Sequence, residues 1–258
     1  MAETLAHPLN EAQFHRYARH LILDEVGEEG QAKLLAARVL VIGAGGLGSP
    51  LLMYLAAAGV GTLGIVDDDQ VDLTNLQRQI VHATSAIGSL KTASAQKTLT
   101  AINPEVRVET YPLRLDERNA REIVARYDLV ADGSDNFATR YLLNDLCYRL
   151  RKTLVGAALS PFDGQLSTFK AYLGSPHPCY RCLFREAPPP ETVPRCETAG
   201  ILGAIAGVMG TLQAVEVLKE ILGIGTSLSG TLLMYDSLAA DFHKIEIPRD
   251  SDCPTCGG

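Results

Sequence analysis

From Arg38 to Arg78 the chain reads RVLVIGAGGLGSPLLMYLAAAGVGTLGIVDDDQVDLTNLQR. Val39 to Ile42 is a short, fully apolar run with β-branched residues, the pattern of a parallel strand buried on both faces. It breaks at Gly43, Gly45 and Gly48, in the spacing G-x-G-x-x-G. Leu47 to Ala58 then carries helical periodicity. Glycines at that turn let the backbone approach a phosphate, which would rest on the N-terminus of the helix, where unpaired N–H groups and the helix dipole favour an anion. A second apolar run, Leu63 to Val66, ends at Asp67, at the distance from the first glycine where an acid accepts hydrogen bonds from ribose hydroxyls. The same glycines would also serve tight strand–helix packing alone, so the acid and the helix are what make this a nucleotide site.

The glycine loop does not choose the nucleotide. An NAD-dependent dehydrogenase is the plainest reading. Beyond Asp67, however, Asp68, Asp69, Asn75, Gln77, Arg78 and later Lys91 bring acids, amides and cations into one segment. That mixture suits a metal-bound polyphosphate better than a nicotinamide.

With 258 residues, 47% hydrophobic and 21% charged, the chain is long enough to bury a sizeable core. A net charge of −7 offers no basic face to a nucleic-acid backbone, so no DNA or RNA partner is expected. The N-terminus lacks a signal pattern, and Ala199 to Leu212, the most apolar run, is too short to span a bilayer. The expectation is a cytoplasmic protein without a membrane partner.

Taken in order, the chain predicts a helix capped by Asn10 and running to about Leu23, with Arg16 and Arg19 on it, as an N-terminal arm (1–37). The nucleotide-binding, Rossmann-like region (38–160) continues with a helix from Lys91 to Ile102, a strand at Val106 to Thr110, a helix at Asn119 to Arg126 and a strand at Asp128 to Ala131. The turn Asp132 to Asn136 puts Asp135 at that strand's carboxyl end, before a helix at Phe137 to Leu150 and a strand at Thr153 to Ala158. This alternation is that of an α/β, doubly wound, mostly parallel sheet. Beyond it (161–258) the alternating stretches Gly164 to Leu173, Gly230 to Tyr235 and Phe242 to Ile247 predict an antiparallel C-terminal extension. A Pro-rich loop, Arg185 to Glu197, and a helix from about Gly200 to Leu222 lie between them. The three parts read as one continuous domain.

Four of the six cysteines form two C-x-x-C pairs, Cys179 with Cys182 and Cys253 with Cys256. Four thiolates suit a closed, tetrahedral, structural zinc site; two unrelated redox pairs are the alternative. Cys196, beside Arg195 and just ahead of the long helix, is a candidate sulfur or acyl acceptor or else a dispensable loop thiol. Cys147, among Leu143 and Leu146, reads as core.

The motifs RYARHLIL, GAGGLGS, DDDQVDLTNLQRQ, GSLK, DGSDN, GQLSTF, CYRC, CETAG, GTLQAVE and CPTC, in this order, resemble the MoeB/ThiF/HesA family over about residues 10 to 258. The resemblance implies an enzyme that uses ATP and magnesium to adenylate the C-terminal glycine of a small ubiquitin-like sulfur carrier ending in Gly-Gly. The step would belong to molybdopterin, thiamin or related sulfur-transfer biosynthesis. It places Gly46 at the nucleotide loop, Asp67 on the ribose, Asn75, Arg78 and Lys91 around the phosphates, and Asp135 at the magnesium, and it implies the zinc. The turn Asp132-Gly133-Ser134-Asp135 departs from the Asp-Cys-Thr-Asp of close relatives. A separate sulfur donor is expected, because the chain ends before a fused rhodanese-like domain could begin. A homodimer is expected too, from the apolar Gly200 to Leu212 face and from the family pattern in which Arg19 reaches the partner's γ-phosphate. A non-catalytic nucleotide-binding scaffold or sensor is the alternative to turnover.

Overall fold

A computed structural model describes residues 9–188 and 200–257. One open sheet of eight strands runs through them in the order β3-β2-β1-β4-β5-β6-β7-β8. The strands are β1 (Arg38–Ile42), β2 (Thr62–Val66), β3 (Arg107–Tyr111), β4 (Leu129–Asp132), β5 (Thr153–Leu159), β6 (Asp163–Phe169), β7 (Thr231–Asp236) and β8 (Asp241–Glu246). Pairings from β3 through β5 are parallel; those from β5 to β8 are antiparallel. The expected switch from a doubly wound sheet to an antiparallel extension therefore falls at the β5–β6 hairpin.

The helices are α1 (Glu11–Arg16), α2 (Ala18–Leu21), α3 (Gly27–Ala36), α4 (Gly48–Ala58), α5 (Lys91–Ile102), α6 (Ala120–Ala125), α7 (Phe137–Leu150), α8 (Tyr180–Leu183) and α9 (Gly203–Leu222). Alternation along each strand sorts the core into two layers. Val39 and Val41 of β1 face α3, α4, α5 and α9, through Leu34, Leu51, Leu55, Leu99 and Met209. Leu40 and Ile42 face α6 and α7, through Ile123, Val124, Leu143 and Leu146. Both faces are covered, so β1 is apolar without a break from Val39 to Ile42.

Two features depart from the expected N-terminal arm. The single helix to Leu23 is broken at Tyr17, whose φ of −100° and ψ of 14° end α1. Tyr17 is 2% exposed, and its hydroxyl accepts a bond of 2.9 Å from Asn103, so burial of the ring turns the chain. The sequence reading also passed over α3, which packs Leu34 into the core and carries the buried Gln31, donor to the Ala58 carbonyl at 3.0 Å. The arm is thereby bound to the C-terminal ends of α4 and α5 in its own chain. Asn103, which stops α5, also donates to the Ala56 carbonyl at 2.9 Å and is fully buried.

Asn103→Ala would leave a buried carbonyl and a buried hydroxyl without their donor. We expect a loss of about 2 kcal/mol, seen in thermal unfolding as a fall in Tm of roughly 4–8 °C.

Candidate active site

Parallel register brings three strand ends into one row: Ile42 pairs with Val66 on one side and with Asp132 on the other. Strand order reverses about β1, so the crevice beyond these ends is where an open α/β sheet binds its ligand. The glycine loop leaves from β1, Asp67 from β2, and the turn 133–135 from β4.

Gly43 sits at φ +89°, a conformation side chains avoid, and a Cβ there would lie 3.2 Å from the Gly133 carbonyl oxygen, so the two loops abut. At Gly48 a Cβ would fall 1.9 Å from the Gly43 carbonyl oxygen, which is why α4 can begin directly behind β1. Gly45 and Gly46 are half-buried between them, and their N–H groups have no acceptor among the described residues. Those groups and the start of α4 form an anion cradle.

Asp67 grips this loop: its Oδ2 accepts the Ala44 N–H at 2.8 Å, and its Oδ1 accepts the Asp69 N–H at 2.9 Å. Burial raises the Asp67 carboxyl above the ordinary carboxylate range, against the opposing bond from Ala44 and the charge of Lys91. The expected ribose acceptor is thus first a brace for the glycine loop.

The aliphatic stem of Arg78 lies under Gly46, 3.6 Å from where a Cβ would stand, and its guanidinium donates to the Thr74 carbonyl at 3.1 Å. Asn75 accepts the N–H groups of Arg78 and Gln79 on its carbonyl and so shapes the turn that presents Arg78. Lys91, the first residue of α5, is 5% exposed, and its Nζ pairs with the exposed Asp69 at 2.7 Å. Asp135 is exposed at the carboxyl end of β4. Its turn is pinned by Asp132, which accepts the Ser134 N–H at 2.9 Å, and by Arg140, which donates to the Ser134 carbonyl at 3.0 Å.

The structure does not bring Arg19 to this cradle within one chain. It is exposed on α2, which lies with α1 beside Asn103 and Gly59, at the far ends of α5 and α4 from the loop. The eleven residues of α4 alone put about 16 Å between its two ends. Cys196 lies outside the described residues, as does most of its loop.

Several polar residues at the site escaped the sequence reading. His82 is 8% exposed and bonds the Ala44 carbonyl through Nε2 and Ser94 through Nδ1, each at 2.9 Å. Gln79 is buried beside Gly45. Asp132 is buried against Arg140, and burial raises its carboxyl. Gln213 of α9 donates to the carbonyls of Asp132 and Val155, at 2.9 and 3.0 Å, tying that helix to the strand ends. The only local signal was a histidine closing the apolar pair Ile80-Val81.

The two C-x-x-C pairs meet. Cys179 and Cys253 sulfurs are 3.5 Å apart, Cys182 and Cys256 also 3.5 Å, and Cys179 and Cys182 4.0 Å. A tetrahedral zinc–thiolate site has S···S edges of about 3.8 Å, so this donor set fits. Desolvation pushes the Cys256 thiol up to about 12, whereas at Cys253 desolvation is outweighed by the N–H bonds from Cys256 and Thr255, which lower the thiol. Asp145 of α7 holds both halves: it accepts two bonds from Arg181, each 2.9 Å, and one of 2.7 Å from Thr255. Cys147 is 2% exposed and its thiol is pushed well up by burial, in keeping with core.

The ThiF family model matches residues 17–255. The sulfur carrier protein adenylyltransferase of Thermus thermophilus is 51% identical over 247 residues, covering 95% of this chain and 91% of that protein. The SAMP-activating enzyme E1 of Haloferax volcanii is 49% identical, covering 96% of this chain and 91% of that one. Among solved structures, MccB of E. coli with MccA-N7isoASN shares the fold, with a TM-score of 0.83 at 22% identity, over 94% of this chain and 75% of that chain.

The steric reading of the loop separates two glycines. Gly48→Ala should cost about 1–3 kcal/mol, as overpacking against backbone does. Gly45→Ala, which meets only the Gln79 side chain at 3.7 Å, should unfold at nearly the wild-type denaturant concentration.

Proposed function

This chain belongs to the ThiF family, and from that premise we propose that it adenylates the C-terminal glycine of a small ubiquitin-like sulfur carrier, with ATP as donor and pyrophosphate as product. The observation that carries the proposal is the cradle itself: amides of Gly45 and Gly46 with no acceptor among the described residues, at a helix N-terminus, with the Arg78 stem beneath them and Lys91 at the crevice wall. Two cations beside an amide cradle match a triphosphate better than a nicotinamide, which supports adenylyl transfer over the dehydrogenase reading.

In this reading Asp67 takes the ribose with the carboxylate lone pairs left over from bracing the loop, and Asn75, Arg78 and Lys91 take the phosphates. Lys91 exchanges Asp69, an exposed partner, for phosphate oxygens. Asp135, a single exposed carboxylate at the strand end, fits a magnesium ion that keeps waters and substrate phosphates as its other ligands. The metal would supply charge neutralisation to the pyrophosphate. The carrier's terminal carboxylate is ionised at neutral pH, so its attack on the α-phosphorus needs positioning and charge neutralisation rather than a general base. As the carboxylate oxygen bonds phosphorus, the bond to the β-phosphate oxygen breaks, and Arg78 and Lys91 balance the charge that moves onto pyrophosphate.

Sulfur is proposed to come from a separate donor. Among the described residues four cysteines are gathered in the cluster and Cys147 is buried with its thiol pushed up, so none stands free to carry sulfur. Cys196 remains the candidate acceptor. A homodimer would complete the site by lending Arg19 in trans. Two observations support this: α2 lies away from its own chain's cradle, and α9 leaves Val208 and Val215 exposed, 36% and 49%, beside a buried face.

Wild-type protein should catalyse carrier-dependent ATP–pyrophosphate exchange, and Lys91→Ala or Asp135→Ala should cut the rate at least about 100-fold with the fold intact. Arg19→Ala should be equally slow alone, and co-expressed, differently tagged Arg19→Ala and Lys91→Ala chains should regain exchange, since one of the two sites is then whole. Exchange at wild-type rate in both Lys91→Ala and Asp135→Ala would refute the site assignment.

The cysteine cluster is proposed to hold one structural zinc. Elemental analysis of protein purified without chelator should find about one zinc per chain, and Cys256→Ser should lower Tm. Asp145→Asn should lose zinc to a chromogenic chelator about 10–100 times faster, the usual reach of a residue that orients metal ligands.

A further inference from the structure

We infer that His82 is a positioning residue for the nucleotide: it sets the orientation of the Ala44–Gly45 peptide in the glycine loop and ties that peptide to the helix that carries Lys91. The inference deepens the adenylation reading and rests on it.

The carbonyl of Ala44 and the N–H of Gly45 belong to one planar peptide unit and point in opposite directions. Whatever holds the carbonyl therefore aims the amide. His82 holds it, through Nε2 at 2.9 Å, from within the core. The preceding peptide is pinned in the same way from the other side, where Asp67 accepts the Ala44 N–H at 2.8 Å. Two successive peptides are thus fixed by side chains from two different segments. They need to be, because the pair is flanked by Gly43 and Gly45, which put little steric barrier in the way of a peptide flip. Released from His82, the Ala44 carbonyl would be buried without a donor, and the Gly45 N–H would be free to turn from the crevice.

The second nitrogen decides the tautomer. Since Nε2 must donate to a carbonyl, Nδ1 of the neutral ring accepts, and the Ser94 hydroxyl donates to it at 2.9 Å. Ser94 stands one turn beyond Lys91 on α5. Glycine loop, Arg78 turn and Lys91 helix therefore share one buried junction.

That junction is sensitive to acid. Burial, and secondarily the Lys91 charge from the same helix, hold His82 below the ordinary histidine range, against the bond to Ala44 that favours the proton. The other charged group at the junction is Asp67, across the Ala44 peptide; Ser94 and Gln79 are neutral. A folded pKa below the unfolded one means that the contribution of His82 is complete above about pH 6.5 and is lost as pH falls from there toward the depressed value.

The test compares wild type, His82→Ala and His82→Gln as full chains. Glutamine can carry a donor to the Ala44 carbonyl but does not titrate. ATP binding is measured by calorimetry without carrier, and exchange kinetics with it. His82→Ala should weaken ATP binding, and raise KM for ATP, about tenfold at pH 8, the size of one buried hydrogen bond, with a smaller change in kcat. His82→Gln should bind within about threefold of wild type at pH 8 and should lose less affinity than wild type between pH 6.5 and 5.5. If melting shows His82→Ala unfolded, His82→Leu, which fills the space without a donor, takes its place. ATP binding at wild-type strength in the apolar variant, or glutamine as weak as the apolar variant, overturns the inference. Wild-type protein that binds ATP yet exchanges nothing with any carrier refutes the adenylation reading, while the binding comparison still decides the role of His82.

Discussion

The register that lines up Val66, Ile42 and Asp132 is the constraint on which the rest depends. Three segments far apart in sequence leave the sheet from one row, and their backbones then meet: Gly43 against Gly133, Ala44 against Asp67, Gly48 behind Gly43. A slip of one residue in any pairing would turn Val41 and Ile42 to the wrong layers of the core. The crevice is therefore held in place by the same apolar alternation that holds the protein together. Few side chains at the site serve both the structure and the proposed chemistry, Asp67 and Lys91 being the main exceptions, since the one braces the glycine loop and the other is a charged group buried in the core margin.

Much of this was written locally. The strand, glycine loop, helix and acid from Arg38 to Asp67 have short-range signatures, and so do the stop of α5 at Asn103 and the two cysteine pairs. The switch to antiparallel pairing was legible because period-two alternation replaces long apolar runs after Pro161. What could not be read are features whose cause lies elsewhere in the chain. Tyr17 breaks the first helix because Asn103, 86 residues on, takes its hydroxyl. The α3 sequence, GEEGQAKLLA, has two glycines and little amphipathic pattern, and it is helical because Leu34 and Gln31 find places against α4. His82, Gln213 and Asp145 looked like any other polar residue until their partners, 38, 81 and 110 residues distant, were in view. Ribose binding by Asp67 was expected from its position; its grip on Ala44 required the loop to be folded.

The cysteine cluster and the crevice are joined by α7. Its N-terminus, capped by Asn136, follows directly from the Asp135 turn, and Asp145 near its other end gathers Arg181 of the first knuckle and Thr255 of the second. Arg249 adds bonds to the carbonyls of Ala171 and His177 and to that of Cys256. Among the described residues, 248–257 form no strand or helix, and side chains fasten them to the rest of the fold.

An open sheet of eight strands must end somewhere, and its two ends are β3 and β8. Every residue of β8 is exposed, and its sequence DFHKIE mixes two acids, a lysine and a histidine with Phe242 and Ile245. Unpaired backbone groups on such a strand are a template on which another chain's edge can grow. Charges placed along the strand make that growth costly, because a like strand would set charge against charge and bury both. At the other end Arg107 of β3 is exposed, and it pairs with Glu109, which also meets Arg38 and Arg126. Resistance to edge-to-edge association is thus written into the two strands at the margins of the sheet.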